Sequence, residues 1–307
     1  MPRVIEPGVG DAIGIEHLAD ALDAARFDAR DEDSLAELGP LLARLGRNPR
    51  FLGDLVIAEL ERRCAGQAAE NAYGAQVFML APPNGRYLLR ANFWPARSDA
   101  VVRASGTAPF FYDLPHDHNF PFLTYGYEGP GYWSDYYQYD VAAVAGLPGE
   151  HAGLRFVERS RLEPGRLMLY RARRDVHVQL PPDSFSVSLN ILFYDAAQPW
   201  LEQFQFDMAT GTIATGLTTA PAEGLVTLAA QLGGAAGIAV AREFAARHPV
   251  PRMRATAYAA LAATLPIRAA RATLFEAAAR DADDYVAGHA RLRLEQIEQA
   301  PTTSITE

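Results

Sequence analysis

The sequence predicts an all-β barrel set between two helical regions, and three observations carry that expectation. Apolar residues recur at helical intervals over residues 12–70. Short aromatic and aliphatic runs separated by Gly/Pro clusters fill residues 72–215. From about residue 222 the chain becomes alanine-rich and helical again. The expected division is an N-terminal helical segment at 1–71, a β-barrel at 72–215 and a C-terminal helical region at 222–300.

Each part has its own pattern. In the first, Ile15, Leu18, Leu22 and Phe27 are spaced for one helix face, and Leu35, Leu38, Leu41, Leu42 and Leu45 repeat it before Gly46. Asn48-Pro49 interrupts, and Phe51 starts another helix. In the second, Val77–Ala81 and Tyr87–Trp94 flank Pro82-Pro83-Asn84-Gly85, a hairpin-turn signal. Further strands are expected at 109–114, 121–127, 132–141, 154–162, 166–171, 176–180, 184–194 and 202–208. So many short strands point to a closed or sandwiched all-β domain. In the third, 245–261 reads as a helix end, a proline turn at 249–251 and a new helix. Looser copies follow at 265–275 and 281–292. These resemble HEAT-like repeats, with a plain helical bundle as the alternative. The tail at 301–307 is expected to be frayed.

Composition narrows the function classes. The net charge is −9, with no lysine in the chain, so a nucleic-acid surface is not expected. A single cysteine, Cys64, excludes an intrachain disulfide and reads as an inert, at least half-buried helical thiol. No signal-peptide pattern or apolar run of the ~18–20 residues needed to span a bilayer is visible, so no membrane role and a cytoplasmic location are expected.

The chemistry concentrates in Pro115-His116-Asp117-His118, between aromatic runs. Residues i and i+2 of a strand share a face, so His116 and His118 present two imidazoles together, rooted roughly 6–7 Å apart, close enough to share a metal ion. Asp117 points the other way. A third imidazole is available at His177, after Pro164-Gly165 and an apolar strand. His151 lies in a turn and is the poorer third ligand; Glu128 reads as a solvated turn residue. The tyrosine-rich belt from 125 to 139 mostly packs the barrel, with one or two hydroxyls reaching the cavity, and Tyr125 is the candidate for a catalytic role. Arg90 and Asn92, near Trp94, point inward; Arg90, Arg171, Arg173 and Arg174 are candidates to hold a substrate carboxylate.

Over residues 73–208 the chain resembles the cupin superfamily. His116-Asp117-His118 matches the first cupin motif, and Pro164-Gly165 through His177 matches the second. The glutamate that many cupins carry after His-x-His is missing, since Phe122-Leu123 stand there. What remains is a three-histidine face that looks like cysteine dioxygenase and related thiol dioxygenases. That resemblance implies Fe(2+) as the metal, a carboxylate-binding arginine at Arg90 and a site residue at Asn190, where the family often has histidine. Leu192 stands where it has tyrosine, and these departures argue against free cysteine as substrate. Three neutral imidazoles leave the ion its full +2 charge and leave positions open for an anionic substrate and dioxygen. Imidazole suits Zn(2+) and Ni(2+) as well. The expected function is a mononuclear non-haem iron oxygenase acting on a small anionic or peptide-borne substrate. The alternatives are a zinc or nickel cupin with hydrolase or isomerase chemistry, or an interaction module that recruits a protein through its C-terminal helices.

Overall fold

A computed structural model describes residues 1–299, and the expected frayed tail falls outside them. The chain forms two compact units. The first comprises Met1–Val141, Ala152–Gln198 and Gln203–Gly211; the second comprises Ala142–His151, Pro199–Glu202 and the chain from Thr212 onward.

The first unit begins with β1 (Arg3–Ile5) and the helices α1 (Ile15–Ala24), α2 (Glu32–Ala36), α3 (Gly39–Gly46), α4 (Phe51–Glu61) and α5 (Ala65–Glu70). Then come β2 (Val77–Met79), β3 (Tyr87–Trp94), α6 (Ala100–Ser105), β4 (Phe122–Glu128), β5 (Trp133–Gln138), β6 (Arg155–Arg161), β7 (Leu167–Tyr170), β8 (Asp175–Leu180), β9 (Ser186–Phe193) and β10 (Phe204–Asp207). Backbone pairing makes a six-stranded sheet in the order β1-β7-β4-β9-β3-β2 and a three-stranded sheet β6-β5-β8, both antiparallel.

Local chemistry explains the turns. The Asn84 side chain accepts from the Arg86 and Tyr87 amides at 3.0 and 3.1 Å, and Gly85 takes φ +81°, closing the β2–β3 hairpin. Between β4 and β5, Gly131 sits at φ +80°, where a Cβ would come within 2.0 Å of the Leu162 carbonyl.

The six-stranded sheet has two unlike faces. Tyr87, Leu89 and Ala91 of β3, Leu123 and Tyr125 of β4, Leu167 and Leu169 of β7, and Leu189 and Ile191 of β9 pack against Leu18, Leu22, Leu35, Leu42 and Leu45 of the helices. The alternate residues, among them Leu88, Trp94, Phe122, Met168, Tyr170 and Leu192, turn inward and meet Tyr136 of the three-stranded sheet. The leucine spacing of the N-terminal segment is therefore the complement of one sheet face.

Two expectations need correction. Residues 109–114 are not a strand: Ala108–Phe110 form a 3-10 turn, and Phe111 and Asp113 adopt left-handed φ of 57° and 60°. Aromatic content there serves core packing, with Phe110 and Tyr112 buried. Cys64 is exposed, in a left-handed turn between α4 and α5.

The second unit contains β11 (Thr212–Gly216), α7 (Pro221–Leu232), α8 (Gly234–Arg247), α9 (Pro251–Ala263), α10 (Arg268–Ala278) and α11 (Asp284–Gln299). Pro251 occupies the first turn of α9, where its missing N–H costs nothing. The helices pack through small residues, Ala230, Ala241, Ala245, Ala257 and Ala260, around Met253. Arg252 is buried here between Glu202 and Glu223, each at 2.8 Å. Among the described residues no helix is long and apolar enough to cross a membrane.

Candidate metal centre

After the left-handed turn at Asp113, the segment 114–118 runs between β8 and β10. Asp113 donates its amide to the Gln179 carbonyl, and the amides of Asp117 and Phe206 donate to the carbonyls of Phe204 and Pro115. His116 and His177 exchange both backbone hydrogen bonds, at 3.1 and 3.0 Å. Residues paired in this way face each other across an antiparallel ladder with their side chains on one side. His118, two residues on, returns to that side. The site is thus one His-x-His segment facing one cross-strand histidine.

Asp117 anchors the segment from behind. Fully buried, its carboxylate accepts from the Tyr139 hydroxyl and the Phe204 amide, both at 2.6 Å. Burial pushes this carboxyl up to about 6 against the pull of those two donors and Arg173. The His118 carbonyl accepts from the Arg173 amide at 2.7 Å.

The three imidazoles converge. His177 Nε2 lies 3.1 Å from His116 Nε2 and 3.2 Å from His118 Nε2. His116 Nδ1–H donates to the Leu114 carbonyl at 2.8 Å, which leaves Nε2 with its lone pair. Burial pushes His116 down to about 4 and holds His118 and His177 well below the ordinary histidine value, so all three are neutral. The Nδ1 atoms of His118 and His177 are buried without a protein partner.

This donor set fits a divalent metal ion. Nitrogens about 2.0–2.1 Å from one ion, at angles between square and tetrahedral, stand about 2.9–3.4 Å apart. The observed separations of 3.1 and 3.2 Å fall in that range. Protons satisfy the cluster poorly: His116 Nε2 carries none, and one N–H on His177 cannot serve both neighbours well. Among the described residues these histidines are the one group of three or more His, Cys, Asp or Glu side chains placed to share an ion. Glu128 ends its strand exposed, and His151 is exposed and belongs to the second unit.

A cavity of about 220 Å³ lies on the open side of His116 and His118. The inward residues of β3 and β9 line it: Arg90, Asn92, Trp94 and Asn190. Arg90 faces Asn190 in the β3–β9 register, and Asn190 faces Thr124 of β4. The buried atoms Arg90 Nε, Asn92 Oδ1, Asn190 Nδ2 and Thr124 Oγ1 have no hydrogen-bond partner. Burial acts against the Arg90 charge, but a guanidinium keeps its proton.

Of the predicted site residues, the structure brings His116, His118 and His177 together and sets Arg90 and Asn190 on the adjoining cavity wall. Tyr125 is a correction. It lies on the opposite face of the sheet, in the helix-packed core, its ring so close to Gly46 that a Cβ there would fall 2.1 Å from Cε1. Phe122 and Thr124 take the inward positions of β4, and period-two alternation sends Tyr125 outward. The arginines before His177 do not line the cavity either. Arg171 pairs with buried Asp175 at 2.5 Å, and Arg174 lies 3.8 Å from Glu32. Tyr132 is the member of the tyrosine belt that reaches the wall, and sequence reasoning missed Gln179 and Tyr73 there. Gln179 was findable, since it stands two residues from His177 on β8 and shares its face.

No protein-family model matches the chain. No curated protein matches it. Among solved structures it is similar to hydroquinone 1,2-dioxygenase PnpCD in complex with Cd2+ and 4-hydroxybenzonitrile, at 11% identity and TM-score 0.24, over 42% of this chain and 71% of that one. It is also similar to the DMSP lyase DddQ from Ruegeria pomeroyi DSS-3, at 10% identity and TM-score 0.25, over 64% and 78%. A third similarity is to vicilin from Corylus avellana, at 11% identity and TM-score 0.22, over 47% and 35%.

Proposed function

We propose that the first unit is a cupin-type mononuclear non-haem iron oxygenase, related to the thiol dioxygenases and acting on a small anionic substrate or an anionic side chain of a peptide. The convergence of three neutral imidazole Nε2 atoms beside a cavity carries this reading. His116, His118 and His177 would hold the ion, which when bound would supply redox chemistry toward dioxygen and Lewis acidity toward an anion.

The chain's own contributions follow from its geometry. The Leu114 carbonyl keeps His116 in the tautomer that offers Nε2. Asp117 holds 116–118 extended so that both rings face the cavity. Arg90 and Asn190 present donors to the anionic end of a substrate. Aromatic side chains exclude water and strengthen those charge interactions.

The test is metal analysis of protein purified without added metal, paired with oxygen consumption. Bound iron and oxygen uptake with a suitable substrate are expected. Zinc or nickel with no oxygen uptake would favour hydrolase or isomerase chemistry instead. Protein that takes up no divalent ion would sink the proposal.

A further inference from the structure

From the charge balance and the walls of this cavity we infer that its ligand is a small monocarboxylate bearing an aromatic ring and no ammonium group. The inference rests on the proposed site and goes further in naming the class of molecule that fits it.

One end of the cavity is built for a carboxylate. Arg90 Nε is buried without a partner, and Asn190, opposite Arg90 in the register, has a buried amide nitrogen without one. The groups around the guanidinium are the phenols of Tyr73, Tyr194 and Tyr132; Tyr73 is hydrogen-bonded to it, and burial raises Tyr132 and Tyr194, which keeps those two neutral. Arg90 is half-buried and desolvation acts against its charge, so an anionic ligand in the cavity is favoured beside it.

The same cavity has no place for a positive group. Among the described residues lining it, none is Asp or Glu. An α-ammonium would meet Arg90, and the metal ion when bound, without a counter-charge. Aromatic faces can attract a cation, but the guanidinium of Arg90 already lies over the Tyr73 ring, 5.0 Å from its centroid. Amino-acid zwitterions, free cysteine among them, are therefore poor ligands.

The remaining walls are flat and apolar. Trp94 and Tyr132 lie 4.0 Å apart between ring centroids, and Phe120 and Phe122 each stand 5.0 Å from the His118 ring. These rings line a space of about 220 Å³, below the ~300–1,000 Å³ typical of drug-sized ligand pockets. One ring and one carboxylate fill such a space, and ring contacts add to the area buried.

Calorimetric titration separates the elements of this claim, with phenylacetate, phenylacetamide, phenylglycine and acetate as probes. Phenylacetate is expected to bind at least about tenfold more tightly than each of the others, a difference of about 1.4 kcal/mol. Arg90→Gln is expected to erase the preference for phenylacetate over its amide, and Arg90→Lys to keep it at reduced affinity. Thermal melts check that both variants are folded, and the wild-type series decides the matter if Arg90→Gln is not. Phenylglycine or acetate binding as tightly as phenylacetate, or no binding of phenylacetate, would overturn the inference. Metal uptake by the wild type, measured beside the titration, separates it from the metal reading. A preference for phenylacetate in wild-type protein that takes up no divalent ion defeats the oxygenase proposal and leaves the ligand class standing. Metal uptake without the preference does the reverse.

Discussion

The two faces of the six-stranded sheet are made by the same strands yet differ in chemistry. Toward the helices, Leu123, Leu169, Leu189 and Ile191 are wholly buried and apolar. Toward the cavity, Arg90, Asn92, Thr124 and Asn190 carry buried polar atoms that no partner among the described residues satisfies. Burying unsatisfied polar groups costs of order 1–3 kcal/mol each. A fold that needed only stability would not keep four of them beside three converging histidines. One face packs the core of the unit, and the other leaves polar atoms along a cavity.

Substitutions can break that division. The largest effect is expected at the imidazoles. His177→Ala removes one of the three proposed ligands and should lower metal affinity by more than about 100-fold, beyond the 10–100-fold typical of losing an outer partner. Equilibrium dialysis checks it, and unchanged affinity would mean the ion binds elsewhere. On the helix face, Leu189→Ala should cost about 2–5 kcal/mol in a denaturant titration. Once folded, that variant should retain its metal stoichiometry. Loss of metal by folded Leu189→Ala would show that the two faces are not separable.

Asp117→Asn is intermediate. It preserves shape but weakens the acceptor for Tyr139 and Phe204, so the 116–118 segment loosens and metal affinity should fall about 10–100-fold. A stability change without an affinity change would make Asp117 purely structural. Tyr125→Phe should leave metal and probe binding untouched and alter stability by less than about 1 kcal/mol. A loss of cavity binding there would reverse the assignment of faces.

The smallest effect lies outside both faces. Arg30 and the Ala197 amide hold the Asp195 carboxyl down at about 2 from its ordinary 3.8. A depressed carboxyl contributes stability that is fully present above 3.8 and is lost as pH falls through about 2. Asp195→Asn should lower the melting midpoint slightly at neutral pH, and the gap to wild type should close between about pH 4 and pH 2. A gap that widened in acid would contradict the assignment.

The contrast of faces also marks what could be read in advance. The shared side of His116 and His118, and the opposite aim of Asp117, follow from strand periodicity, and the structure has them so. The leucine pattern of 15–45 announced helices, although not which sheet face they cover. Tyr125 went astray because it was read from the tyrosine-rich belt and not from alternation: His116, His118, Phe120 and Phe122 share the inward parity, which sends Tyr125 to the other face. Residues 109–114 read as strand from their aromatic content, whereas the left-handed positions at Phe111 and Asp113 left no composition signal. His177 was legible as an available third imidazole after an apolar strand; its pairing with His116 is a long-range backbone contact that no local pattern encodes.

The most direct test of the central claim is X-ray absorption spectroscopy of the protein after metal loading, on wild type and on a variant with all three histidines replaced by alanine. The account predicts about three imidazole nitrogens at about 2.0–2.2 Å around the ion, and no bound ion in the variant. A spectrum without imidazole scattering, or an ion held equally well by the variant, would contradict it.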